Sequence, residues 1–309
     1  MVMAREQSGI CAEANLHCCY VMLNALDGHE HYLRLQLAKV PMLAERLSDQ
    51  FSEAMLNVVV AVGQNYWPHL YPEQHPEPWP DFTDNLADLP VVAPDLLIQI
   101  RADRFDVIHI ATQQIYHLLQ PHVDLYEQLH AFRYLDGRNL TGFHDTPDNP
   151  KGKQRRICAL LGNEVKSAMN AGSYVYMLRY QYDLQRWQQL MMQEQEAVMG
   201  RNKLDGQLVP SAQRHPRSNA DKTALETTAG RKKILWQNMP VADIRAQGMI
   251  SIGFSADPYD VLQWLSTRLG RDTENADLLM DYCQIEAGAA FFAPSINFLE
   301  EQAGSDLFK

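Results

Sequence analysis

HCCYVMLNAL at His17–Leu26 is a run of apolar, β-prone residues that predicts a strand. His31–Phe51, just behind it, sets Leu35, Leu37, Val40, Leu43 and Leu47 at helical spacing. Met55–Gly63 predicts a second strand, so the chain opens strand, helix, strand. Pro68–Pro90, crowded with Pro, Asp and Asn, reads as a long loop. Beyond it Leu96–Arg101 alternates apolar and polar residues, Val107–Leu119 repeats the helical spacing and Asp124–Leu135 predicts a further strand. A β-α-β unit followed by another, each helix returning the chain to a sheet, is the pattern of a ferredoxin-like half.

The second half offers comparable parts. Tyr174–Tyr182 is strongly β-prone, Gln185–Met199 is helical, Met249–Phe254 is a strand, Pro258–Leu269 a helix and Ala287–Phe292 a last strand. Between them Asp205–Gly230 is a long polar connection rich in Pro, Ser, Thr and Gly, a type of segment that is usually functional or disordered. The expectation is an α+β protein of two ferredoxin-like halves, 1–135 and 136–309, each an antiparallel sheet covered by helices.

The formal charge of −11 argues against a nucleic-acid partner, since phosphate neutralisation needs a clustered excess of Lys and Arg. No apolar run is long enough to cross a bilayer and the N-terminus lacks a leader pattern, so a soluble, cytoplasmic protein is expected. The five cysteines, Cys11, Cys18, Cys19, Cys158 and Cys283, are odd in number and form no C-x-x-C pair. They read as free thiols, with adjacent Cys18 and Cys19 as small buried hydrophobes.

Phe132–Pro150, FRYLDGRNLTGFHDTPDNP, runs from an aromatic-rich strand into a turn carrying Gly142, Phe143, Asp145, Asn149 and Pro150. This segment resembles the signature loop of the dye-decolorizing (DyP-type) haem peroxidases. The resemblance continues in order through Arg5–Glu13, Gly172-Ser173-Tyr174, Tyr180, Leu184, Trp187, Glu194-Gln195-Glu196, Gly200-Arg201, Lys203, Gln237, Met239-Pro240 and Phe291–Ser295. It spans nearly the whole chain. It implies a dimeric α+β-barrel type of fold, the signature loop at 142–150, and assembly into a homo-oligomer.

Splitting iron-bound peroxide needs an axial nitrogen ligand, a group that moves a proton between the two oxygens, and a positive charge near the departing one. The resemblance assigns these roles to a His, an Asp and an Arg. Asp145 is the Asp, a distal acid–base. Its turn departs from the family, with Thr146 in place of Gly and Pro147 in place of Thr, which should alter the loop. His144 beside it is a candidate for the pocket mouth or an exposed loop residue. Aligning Ile234–Pro240 puts Trp236 at the Arg position and Asn238 two residues on, and Val241-Ala242 replaces an aromatic-Gly pair. An indole donates one hydrogen bond and carries no charge. Aligning Ser218–Leu225 puts Asn219 at the axial His position, where an amide is a weak ligand for ferric iron. His215, four residues earlier, would reach the iron only through a register shift.

These departures predict a degenerate DyP-type protein with no cofactor, weak haem binding and little peroxidase activity, a pseudo-peroxidase or a protein re-purposed to bind a small molecule in the vacated haem pocket. One alternative is an active peroxidase with haem b, Asp145 as distal acid–base and His215 as shifted axial ligand. Another is an enzyme of a different class using Asp145 and His144 as acid and base. No metal site is expected: His29 and His31 read as a solvated helix start, and His109 and His117 as surface residues. Tyr174, Tyr176, Tyr180 and Tyr182 read as aromatics on one sheet face, and Met191, Met192 and Met199 as packing. Lys151, Lys153, Arg155 and Arg156 read as a solvated basic loop or an anion contact, and Trp67–Trp79 as a segment suited to pack on a neighbouring subunit.

Overall fold

The computed structural model describes residues 4–76, 89–162, 168–224, 233–270 and 275–304. The first half runs β1 (His17–Ala25), α1 (Glu30–Gln50), β2 (Asn57–Gly63), α2 (Trp67–Leu70), β3 (Leu96–Ala102), α3 (Phe105–Leu119) and β4 (Val123–Phe132). The second runs α4 (Lys153–Ala159), β5 (Ser173–Tyr182), α5 (Leu184–Gln188), α6 (Met192–Met199), α7 (Asn219–Lys222), β6 (Leu235–Ala242), β7 (Gln247–Ser255), α8 (Tyr259–Leu269), β8 (Cys283–Ala293) and α9 (Ile296–Ala303).

All eight strands form one antiparallel sheet in the order β4-β1-β3-β2-β8-β5-β7-β6. The order within each half is fourth, first, third, second, the ferredoxin-like arrangement used twice. The halves meet through a short β2–β8 pairing at Val62–Phe292 and Gly63–Phe291. Gln7 extends this seam: its amide donates to the carbonyls of Val60 (2.8 Å) and Pro294 (2.9 Å) and accepts from the Val60 N–H (2.7 Å). At the outer ends of the sheet β4 lies against β6, so the sheet curves back on itself.

Both sheet faces are buried, which explains why β1 is apolar throughout rather than alternating. Cys19, Val21 and Leu23 face a core shared with α1 and α3, and Cys18, Tyr20 and Met22 face a second core inside the curve of the sheet. Tyr174, Tyr176, Tyr180 and Tyr182 all lie buried in the helix-side core. Trp67 is fully buried against Phe292 and Phe298, so it holds its own core together rather than facing a neighbour, while Trp79 lies outside the described residues.

Two readings change and one strand is new. The helix expected over Gln185–Met199 is two, because Met191 is extended (φ −64°, ψ 155°) and its N–H is taken by the Glu194 carboxylate at 2.7 Å. Gln195 then donates its side-chain amide to the Trp187 carbonyl at 3.0 Å, a carbonyl that a continuous helix would satisfy with the Met191 N–H. The basic run is not a free loop: it builds α4, where buried Arg155 holds the carbonyls of Cys11 and Ala12 and the Glu13 carboxylate, and Arg156 pairs with Glu6. Leu235–Ala242, whose apolar residues are interrupted by Gln237, Asn238 and Pro240, is an edge strand, where Pro removes no ladder bond that matters. No helix among the described residues is long and apolar enough to cross a membrane.

Candidate functional site

The signature loop, β5–β7, α7 and α8 enclose a cavity in the second half with an inner volume of about 130 Å³, whose lining includes Asp145, Asn219, Trp236, Asn238, Trp264 and Arg268. An outer cleft beside Arg201, Lys151 and Arg214 shares Asp148, Asn149 and Ala220 with it. Residues 225–232, which include the end of the Asp205–Gly230 connection and the aligned Leu225, lie outside the described residues.

Asp145 is placed by its turn. Gly142 sits at φ +85° and Thr146 at φ +38°. A side chain in the left-handed region costs about 1–2 kcal/mol, and here the Thr146 hydroxyl offsets this by donating to Asp145 Oδ2 at 3.0 Å. Asn238 Nδ2 donates to the same oxygen at 3.0 Å. Burial pushes the Asp145 carboxyl up from its ordinary range, against hydrogen bonds from Thr146, Asn238 and Asn139, all neutral donors. His144 also lines the cavity, half-buried, with Nε2 3.0 Å from Arg138 Nη2, and the Arg138 guanidinium is otherwise held by the carbonyls of Gly142, Lys203 and Leu204.

Trp236 is held on three sides. The Asn149 side-chain amide imitates a neighbouring strand, donating to the Trp236 carbonyl (2.7 Å) and accepting its N–H (3.0 Å). The ring lies over Gly253, where a Cβ would come within 2.8 Å of Cζ3, and it packs on Trp264 at a centroid distance of 4.5 Å. The indole thus fills the place that the alignment gives to a guanidinium.

Asn219 begins α7 and lines the cavity, and its Nδ2 donates to Asp277 Oδ2 at 2.7 Å. Asp277 is fully buried; its Oδ1 caps the Leu279 N–H and its Oδ2 pairs with Arg268 Nε at 2.9 Å. Arg268 also donates to the Tyr180 hydroxyl and lies over the Trp264 ring at 4.8 Å. His215 is exposed, outside the cavity lining, and its Nδ1 accepts the Arg217 N–H at 3.0 Å. In the first half His29 Nδ1 is 3.0 Å from His122 Nδ1.

The site therefore unites Asp145, Asn238, Trp236, Asn219 and His144, and leaves His215 outside. Sequence reasoning missed Asp277, Arg268 and Trp264. The signal that points to Asp277 is chemical: a metal-ligating His is commonly hydrogen-bonded to a carboxylate, so the position aligned with one calls for a carboxylate nearby, but nothing in the local sequence says which.

Two family models match, the N-terminal domain of the Dyp-type peroxidases over residues 7–133 and the C-terminal domain over 136–298. The chain belongs to the DyP-type peroxidase family. A dye-decolorizing peroxidase of Mycobacterium tuberculosis is 30% identical over 272 residues, 85% of this chain and 81% of that one. A Shewanella oneidensis crystal structure assigned to the DyP-type peroxidases superposes with a TM-score of 0.91 at 36% identity, covering 97% of this chain and 99% of that one. A DypB variant of Rhodococcus jostii RHA1 in complex with heme gives 0.85 at 26% identity, covering 96% and 99%. The family binds haem, and the two ferredoxin-like halves of this chain are its fold.

Proposed function

We propose that this chain is a DyP-fold protein that has given up haem-dependent peroxide chemistry and binds a small molecule in the pocket, assembled as a homo-oligomer in the cytoplasm. The observation that carries this reading is the Asn219–Asp277 hydrogen bond at the axial position. The residues do not fit haem. Imidazole is the usual axial donor, and here an amide stands there with one of its N–H groups committed to a carboxylate. His144, the one imidazole lining the cavity among the described residues, shares a hydrogen bond with Arg138 on the Asp145 side. Cys283 also lines the cavity, but burial pushes its thiol up to about 12, away from the thiolate that would bind metal. Trp236 brings bulk and no charge where a cation would assist cleavage. The inner volume of about 130 Å³ is on the scale at which a cavity of about 150 Å³ admits benzene.

What favours the haem-peroxidase alternative is Asp145, retained and buried in the pocket. The deciding experiment is an absorption spectrum after incubation with hemin and desalting. Retention of no haem at any stoichiometry supports the proposal. A Soret band lost in His215→Ala but kept in Asn219→Ala overturns it and makes His215 the ligand, with peroxide turnover measured next.

A further inference from the structure

We infer that the cavity takes a small organic cation, its ammonium held by Asp145 and Asn238 and its apolar part packed against Trp236. This deepens the reading that haem does not occupy the site, and rests on it. The cavity's charges lead to the inference. Arg201 pairs with Asp148 and donates to the Gly206 carbonyl, and Arg268 pairs with Asp277. Of the five charged groups Arg201, Arg268, Asp148, Asp277 and Asp145, only Asp145 is left over, enclosed and met by neutral donors. A buried carboxylate without a cation is costly, and is relieved by taking up a proton or by a cation arriving from outside.

A second observation concerns Asn238. Its Nδ2 is used on Asp145, while its Oδ1 is buried without any hydrogen-bond partner among the described residues. Two acceptors on adjoining side chains of one cavity call for a donor-rich ligand, and an ammonium carries three N–H donors and no acceptor. Trp236 lines the same cavity, half-buried, and gives the apolar part of such a ligand an aromatic side chain to pack against. An anion would meet the Asp145 charge and the Asn238 carbonyl with nothing to offer either. The inner cavity has room for about one ring.

The test is calorimetric titration of the full chain at neutral pH with benzylamine, benzyl alcohol and benzoate, three probes of similar size and different charge. Benzylamine is expected to saturate and to bind at least about tenfold tighter than benzyl alcohol, with benzoate not binding. Asp145→Asn is expected to erase that preference, bringing benzylamine to within about twofold of benzyl alcohol. Asn238→Leu is expected to weaken benzylamine as well, and serves as the variant of record if Asp145→Asn does not fold. Benzylamine binding no tighter than the alcohol, or no binding by any probe, overturns the inference. Hemin retention, measured on the same preparation, separates the two claims: retained hemin that benzylamine displaces sinks the haem-free reading, whereas no hemin and no amine preference sinks only the cation.

Discussion

Replacing Asp277 with Ala should be among the most damaging single changes in the second half, because it strands a buried cation. Arg268 is 6% exposed and Asp277 fully buried, with Nε and Oδ2 2.9 Å apart. Removing one member of such a pair costs about 3–5 kcal/mol, since the surviving charge stays out of water. Arg268 would keep the Tyr180 hydroxyl and the Trp264 ring, which offset part of the loss. Against that, the Leu279 N–H and the Asn219 amide lose their acceptors, each worth about 1–3 kcal/mol when left unpaired. Because these groups share one network the losses do not add, and the expected destabilisation is about 3–5 kcal/mol. At about 2–4 °C per kcal/mol for a chain approaching this size, the melting temperature should fall by at least about 6 °C, with a matching shift of the urea midpoint. The double variant Arg268→Met, Asp277→Leu should recover most of the loss, as apolar replacement of a buried pair often does. A single variant within about 1 kcal/mol of the parent, or a double variant no better than the single, would refute the reasoning.

Asp145→Asn should raise the melting temperature at neutral pH. A carboxyl whose folded-state value is pushed up by burial binds its proton more tightly folded than unfolded, so its cost to stability appears as pH rises above the ordinary carboxyl range. The gain from Asn should therefore grow as pH rises from near the ordinary carboxyl value of about 4, and a difference that is flat with pH would contradict the assignment. Asn219→His combined with Trp236→Arg should restore a Soret band after hemin incubation, Asp277 being already placed to accept from an imidazole N–H; a double variant that folds and still retains no hemin would show that these two positions are not what excludes it. Gln7→Leu should cost at least about 2 kcal/mol in urea unfolding, because three hydrogen bonds at the seam between the halves lose their partner inside the protein; a loss under about 0.5 kcal/mol would mean that water replaces the amide.

How far the sequence reveals the molecule depends on the range over which each signal acts. The strands β1, β3, β5 and β7 and the helices α1, α3 and α8 are written locally, in runs and spacings that admit few readings, and each lies within a few residues of its expected bounds. β6 was not legible, since an edge strand with one polar side can carry Gln237, Asn238 and Pro240 without losing its place. The break before α6 was hidden because its cause is side-chain chemistry, Glu194 and Gln195 taking over backbone groups within an otherwise helical pattern. Asp145, Asn219 and Trp236 could be placed by alignment, but what each does there depends on residues far along the chain. Asn149 and Trp236 are 87 residues apart, Asn219 and Asp277 58, and no local motif joins them.

On the proposed reading, in which Asn219 and Trp236 stand where the family has a His and an Arg, the site still makes a coherent structure. A buried Asp277 needs donors for both its oxygens, and Arg268 and the Leu279 N–H alone would leave one side of Oδ2 unfilled. An apolar residue at 219 would leave that side without its donor. Asn supplies a donor at 2.7 Å and closes the network without any need for iron. Trp236 works in the same way on the facing wall: a guanidinium there would need its own partner, while the indole is held by packing on Trp264 and Gly253 and by backbone bonds from Asn149. Both replacements satisfy their surroundings from within the protein. Asp145 has neutral donors but no cation, and the Asn238 carbonyl has no hydrogen-bond partner among the described residues, and on the inference above these are the groups that a ligand would complete.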